Sequence, residues 1–228
     1  MSKHNIYFIS MQSTYKSVDC ALYNGTKKIA YISIEKKDAS SALIPSLEQL
    51  LNCHNISIDD ISFVGVNQGP APFTTLRVVI STANGISFAT GIPLIGIDGL
   101  EALLAQVYDP KHLPTVAILD AFAHDVYFAI QDNETISKGC MPVNDFLVDL
   151  KSRYPAHVIR FVGNGCSVFK NEIKEILGDK AFIPEPIIDV CSLEKISSMA
   201  LECYKNKDNL ISQVVPLYLK KQWWQQSA

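Results

Sequence analysis

The chain of 228 residues is short of three things: paired cysteines, basic charge and long apolar runs. Each shortage excludes a class of protein. The cysteines are Cys20, Cys53, Cys140, Cys166, Cys191 and Cys203, and no two stand closer than 12 positions. Without a C-x-x-C pair there is no zinc knuckle and no thioredoxin-type redox couple. Set in apolar stretches, they read as buried free thiols. Lys plus Arg is 20 against 23 Asp plus Glu, a net charge of -3. The basic pairs Lys27-Lys28, Lys36-Lys37 and Lys220-Lys221 are scattered. A primary nucleic-acid binder would carry a basic stripe instead. No apolar run nears the ~18 residues of a membrane span. The opening MSKHNIYFIS lacks a secretory h-region, so a soluble cytoplasmic protein is expected. His4, His54, His112, His124 and His157 include no pair at helical spacing. A zinc-peptidase helix of the H-E-x-x-H type is therefore absent, as is a G-x-S-x-G nucleophile turn.

What is present is ordinary globular chemistry, 48% hydrophobic and 19% charged. A chain this long buries roughly 70% of its unfolded surface, so it builds a core without metals or disulfides. Tyr7–Ser10, Val18–Tyr23 and Lys28–Ser33 are β-prone, and Asn24-Gly25 between the last two is a hairpin turn. Ser40–Cys53 repeats Leu43, Ile44, Leu47, Leu50 and Leu51 at helical spacing, with Pro45 tolerated in the first turn. Phe63–Asn67 predicts a buried strand, Thr74–Thr90 a helix, Ile92–Ile97 a strand and Leu100–Tyr108 a helix.

The second half repeats the order. Val116–Asp120, Val126–Ile130 and Thr135–Met141 predict strands, Val143–Leu150 a helix, and His157–Val162 a strand ending in Gly163-Asn164-Gly165. Cys166–Leu177 predicts a helix, Phe182–Pro186 a short extended piece and Ser192–Lys205 a helix. Each half thus reads βββαβαβα, a mixed α/β sheet with helices on its faces. The order resembles the tandem ribonuclease-H-like lobes of the actin, Hsp70 and sugar-kinase superfamily. The boundary is expected at Asp109-Pro110, giving lobes 1–109 and 110–228, the second carrying the C-terminal tail.

That layout implies ATP between the lobes, held by the hairpin loop after the first strand of each. The first loop, Ser10 to Ser17, has no Asp, Glu or Gly. It lacks the flexibility to wrap a phosphate and the carboxylate to hold magnesium. The second keeps Asp120, either one survivor of a metal-binding pair or a strand-end residue bonding loop amides. Gly163-Asn164-Gly165 is either a tight turn or an anion site at a helix start. His124, beside Asp125, reads as a solvated loop histidine.

The richest stretch is Gly69 to Asp98. Its helix is apolar nearly all round, with Ser81, Ala83, Gly85, Ser87 and Ala89 among Val78, Val79, Ile80, Ile86 and Phe88. Such a helix is buried on two faces; one meets the sheet and the other needs a further partner. Arg77 in the first turn opposes the helix dipole, so it either has an acidic partner or is a tolerated surface residue. With the first helix this makes a dimerisation face. The face is expected to comprise Leu43, Ile44, Leu47 and Leu51 of the first helix, and Phe73, Leu76, Arg77, Ile80, Ala83, Asn84 and Ser87 of the second. Leu76→Glu or Ile80→Glu is then expected to split a dimer and leave the monomer folded. Trp223-Trp224 at the end is either a docking anchor or packed on its own domain.

Gly69-Pro70-Ala71-Pro72-Phe73-Thr74-Thr75-Leu76-Arg77 resembles the GPGSFTGLR signature of the bacterial TsaB (YeaZ) family. Ser81 to Gly85 resembles its small-residue helix, and Ala42-Leu43-Ile44-Pro45 its LLP. Leu119-Asp120-Ala121 with Asp125-Val126-Tyr127 is similar to its DAR…EVY, and Pro216-Leu217-Tyr218-Leu219-Lys220 to its P-x-YLR. The resemblance implies an actin-like chain without catalysis of its own that pairs with the catalytic paralogue TsaD, or with itself, through its first two helices. With the ATPase TsaE these install threonylcarbamoyl on tRNA, which this chain would meet only through the complex. No catalytic residue, metal or cofactor is expected, ATP and ADP included, and no membrane partner. Ile9-Ser10-Met11-Gln12 stands where the family has IDTS, Ala39-Ser40-Ser41 where it has HSE, and Phe122 where it has the Arg of DAR. Ala71 and Thr75 replace two glycines. An alternative is an ATP-dependent phosphotransferase or ATPase of the same fold, and a third reading is a peptidase.

Overall fold

A computed structural model describes residues 5–111 and 114–220. His4, His112 and the Trp223-Trp224 pair lie outside them. Two compact units emerge, each built on one five-stranded mixed sheet.

The first sheet comprises β1 (Tyr7–Ser13), β2 (Ser17–Asn24), β3 (Lys27–Glu35), β4 (Ile61–Asn67) and β5 (Leu94–Ile97), in the order β3-β2-β1-β4-β5. The first three are antiparallel neighbours, and β1, β4 and β5 run parallel. Gly25 turns the β2–β3 hairpin at φ +55°, a conformation glycine takes without steric cost. Strand alternation divides β1 between the two faces. Ile9 and Met11 join a core closed by α1 (Ala39–Asn52) and α2 (Phe73–Thr90). On the opposite face, α7 (Leu193–Asn206) crosses β1, β4 and β5. It comes so close that a Cβ added at Gly65 would meet the Ala200 methyl at 2.7 Å.

The second sheet comprises β6 (Thr115–Asp120), β7 (Asp125–Asp132), β8 (Thr135–Pro142), β9 (Ile159–Val162) and β10 (Ala181–Phe182). Its order is β10-β9-β6-β7-β8, the first sheet's arrangement repeated. Phe146, Leu147 and Leu150 of α4 (Val143–Arg153) pack with Ile173 and Leu177 of α6 (Lys170–Leu177) over Val116 and Ile118. The single helix expected over Cys166–Leu177 is interrupted at Phe169, with the one-turn α5 (Gly165–Val168) before it.

The units are not the consecutive halves 1–109 and 110–228. The first comprises 1–99 and 192–217, the second 100–191 and the chain from Tyr218. α3 (Gly99–Val107) works for the second unit: Arg160 Nη1 donates to Val107 O at 2.6 Å, and Lys138 pairs with Glu101. α7 works for the first. The reason is coverage, because a sheet carrying parallel strands needs both faces closed, and α1 and α2 close only one.

Candidate functional site

α1 and α2 lie side by side on the first sheet. Their inner faces are core: Leu43, Leu47, Leu50 and Leu51 of α1, and Leu76, Val79, Ile80 and Ala83 of α2. This corrects the expected docking face. Leu43, Leu76, Ile80 and Ala83 point into the chain's own interior, and Ser87 is buried with its hydroxyl donating to Ser212 O at 3.3 Å. Asn84 is also committed: Val214 N donates to its Oδ1 at 2.8 Å, and its Nδ2 donates to Val214 O at 2.9 Å. Residues 209–217 form a strap along α2 and β5. Leu94 and Ile211 exchange backbone hydrogen bonds, and Leu217 N donates to Gln68 O. Ile44 and Phe73 are exposed, at 64% and 55%. Arg77 rests its guanidinium 3.7 Å from the Phe73 ring centroid, a cation–π contact one helical turn apart.

Between the two helices opens an apolar groove of about 800 Å³. The nearly buried Leu47 and Leu51 of the core form its floor, with Ile44 of α1 and Ser81, Gly85 and Ile86 of α2 around them. A side chain at Gly85 would meet nothing within 4 Å. The spacing Phe73, Arg77, Ser81, Gly85, Phe88 runs down one side of α2, and Phe88 is 95% exposed. Reading the helix as apolar all round hid this side. The i, i+4 recurrence of Ser81, Gly85 and Ala89, out of phase with Leu76, Ile80, Ala83 and Ser87, carried the signal.

The loop after β1 spends its polarity on itself. Lys16 N and Ser17 N both donate to Thr14 Oγ1, at 3.2 and 2.9 Å. Ser13 Oγ donates to Thr75 Oγ1 at 2.7 Å. Two of the amides that would cradle a phosphate are thereby occupied. Asp19 lies on β2 and accepts from Ser17 Oγ and Ser33 Oγ at 2.9 and 2.7 Å.

In the second unit, Asp120 Oδ1 accepts from Phe122 N at 2.9 Å, the strand-end reading of that carboxylate. Phe122, Ala123 and His124 all have positive φ, +59°, +53° and +65°, and such backbone is stored strain. His124 faces Glu172 at 3.6 Å and meets the Phe169 ring edge-on. At Gly163-Asn164-Gly165 the amides of Gly163 and Asn164 go to Ile188 O and Asp189 O at 2.8 and 2.7 Å. The turn reading holds there, and those donors are not available to an anion.

Burial pushes the Cys166 thiol up to about 12. Burial, with the Asp125 carboxylate, pushes that of Cys140 up to about 11. Thiols held protonated are poor nucleophiles. Cys20, Cys166 and Cys191 are buried, but Cys53 is exposed and Cys140 and Cys203 half-buried, contrary to the general expectation. Among the described residues, no three His, Cys, Asp or Glu side chains could hold a metal ion, and no helix is long and apolar enough to cross a membrane.

Comparison with known proteins bears on this arrangement. The family model described as TsaD, tRNA N6-adenosine threonylcarbamoyltransferase, matches residues 33–145. The chain is 27% identical over 161 residues to the tRNA threonylcarbamoyladenosine biosynthesis protein TsaB of Bacillus subtilis, covering 67% of this chain and 68% of that one. The structure of YeaZ from Pseudomonas aeruginosa superposes with a TM-score of 0.69 at 18% identity, over 94% of this chain and 100% of that one. A Bacteroides thetaiotaomicron protein with an actin-like ATPase fold superposes at 0.50 and 8% identity, over 89% and 98%. With the signature run from Gly69 to Arg77 opening α2 and two sheets of this one strand order, the chain is similar to the TsaB (YeaZ) proteins and has a two-unit, actin-like α/β fold.

Proposed function

We propose that this chain serves tRNA threonylcarbamoyladenosine biosynthesis as the structural partner of a TsaD-type catalytic subunit, docking through the α1–α2 groove. The observation that carries the reading is the groove itself. It is apolar, open and about 800 Å³, on a chain whose relative is named for that pathway. The matched TsaD model spans both helices. A partner with like helices would pack against them as a four-helix arrangement, with Ser81, Gly85 and Ala89 letting the backbones approach. The chain would make no bond itself. Support comes from the first loop, whose amides are tied to Thr14, and from the second, where Asp120 braces its own turn. An ATP-dependent transferase is not favoured. In the fuller reading the chain pairs with itself when the partner is missing, a TsaE-type ATPase joins the complex, no nucleotide is held by this chain, and tRNA is met in the cytoplasm only by the assembly.

The test is co-expression with the TsaD-like chain of the same source, followed by native mass spectrometry. Gly85→Glu is expected to reduce the complex at least about a hundredfold, because an unpaired carboxylate is then buried at the junction. Its thermal midpoint alone should be unchanged or higher, since the site is open and glycine weakens a helix interior by roughly 0.5–1 kcal/mol. Ile44→Glu should behave alike on pairing. A complex of undiminished stoichiometry from both variants would remove the groove from the proposal. Separately, the pure chain with magnesium and ATP is expected to release no phosphate above blank. Turnover that disappears in Asp120→Asn would overturn the structural role.

A further inference from the structure

An aromatic row crosses the first sheet on the face opposite the groove. Phe63 of β4, Phe8 of β1 and Tyr23 of β2 stack with centroids 4.4 and 5.0 Å apart, and Tyr204 of α7 stacks on Phe63 at 4.5 Å. The strand ladders slip register beside two members, between Tyr7 and Phe8 and between Leu22 and Tyr23. Slips of this kind re-aim side chains and are common beside binding sites. Between the β2–β3 hairpin and α7, the row borders a cavity of about 390 Å³. That is within the range of small-molecule sites.

Phe8, Tyr23 and Leu201 give the cavity its apolar lining. Tyr23 is only 4% exposed, and its hydroxyl is buried without a hydrogen-bond partner among the described residues. The Ser197 hydroxyl lies beside it and donates to Leu193 O at 2.6 Å, and its oxygen, though still able to accept, makes no hydrogen bond with the phenol. A buried, unmatched phenol costs stability, and it is a donor waiting for an acceptor. Burial, the largest influence, raises its pKa, with Glu194 also raising and Ser197 and Lys28 lowering it, so the proton stays on. Lys28 and Glu194, which pair with each other, stand at the cavity with Glu202 and Lys205. The charges are two of each sign, so a net charge on a ligand gains nothing. The Lys28–Glu194 pair is half-exposed and parts at little cost, opening the way to the phenol.

We propose that this cavity binds a small, uncharged carboxamide on an apolar body, its carbonyl accepting from the Tyr23 hydroxyl and its amide N–H donating to Glu194. The site lies on the α7 side of the sheet, so it stands or falls independently of docking through α1 and α2.

The experiment is a titration of the full ¹⁵N-labelled chain with benzamide, with toluene and benzoate as comparators, followed by amide shifts. Benzamide is expected to give saturable shifts at Gly25, Thr26, Ser197, Ser198 and Leu201, and benzoate to bind more weakly because an apolar lining disfavours its charge. Tyr23→Phe keeps the ring and should weaken benzamide about five- to tenfold, leaving toluene within about twofold. Ser198→Trp, at an exposed position on the cavity wall, should block all three. No saturable shift at these amides, benzoate binding the tighter, or Tyr23→Phe binding benzamide as the parent does would each overturn the site. The last result would mean that water satisfies the phenol.

Discussion

Ile80→Glu is expected to destabilise the chain severely, whereas Ser81→Glu, one position along, should leave its stability nearly unchanged. Ile80 is 4% exposed and sits in the core that α2 shares with Ile9, Val64 and Leu47. A carboxylate there loses the apolar contacts of the isoleucine and must either stay charged without a partner or take up a proton. Together these cost about 4 kcal/mol or more, against a total domain stability of roughly 5–15 kcal/mol. Ser81 faces the groove and water, where a substitution changes stability by under about 0.5 kcal/mol. Urea unfolding followed by circular dichroism separates the two. An Ile80→Glu chain that keeps its midpoint and loses only its partner would show that this side of α2 is an interface, not core.

Gly163→Ala is the second large effect, expected at about 3–5 kcal/mol. A Cβ on this residue would lie 2.0 Å from the carbonyl oxygen of Ile118, which is backbone of the central strand β6 and cannot rotate aside. Its φ of +103° adds conformational strain for any L-residue. Relief requires β6 and β9 to separate, so the loss should show first in hydrogen exchange at Val116, Ala117 and Phe161 of that ladder. Gly25→Ala is the control. It also has a positive φ, +55°, but meets nothing within 4 Å, and should cost only about 1 kcal/mol. Equal midpoints for Gly163→Ala and the parent would mean that the turn yields more easily than this packing allows.

These two positions show where the sequence was legible. Asn24-Gly25 sits between β-prone runs and the hairpin turns there, one position on, with Gly25-Thr26 as the loop between paired Asn24 and Lys27, because a two-residue turn is decided by its own backbone preferences. Gly163-Asn164-Gly165 could be placed between strand and helix for the same reason. That its glycine is demanded by Ile118, some forty-five positions away, is a fact of tertiary packing. On α2, apolar residues on every side announce burial but not which side faces the sheet, so sequence alone does not separate the buried Leu76 and Ile80 from the exposed Ser81–Gly85–Ala89 side. Asn84 could not be read at all from its neighbours, since its partner is the backbone of Val214. The element order held well, but the membership of α3 and α7 did not, because local pattern specifies a helix and not the sheet it will cover.

The interleaving of the two units sets an order of events on the ribosome. Residues 100–191 emerge as one unbroken stretch containing every strand of the second sheet. The first sheet is synthesised earlier yet must wait, with the α7 side of Phe8 and Phe63 bare, until 192–217 leave the exit tunnel. A nascent chain halted before Ser192 would therefore expose a broad greasy strand surface, and it is at that stage of translation that chaperone capture or premature self-association would strike.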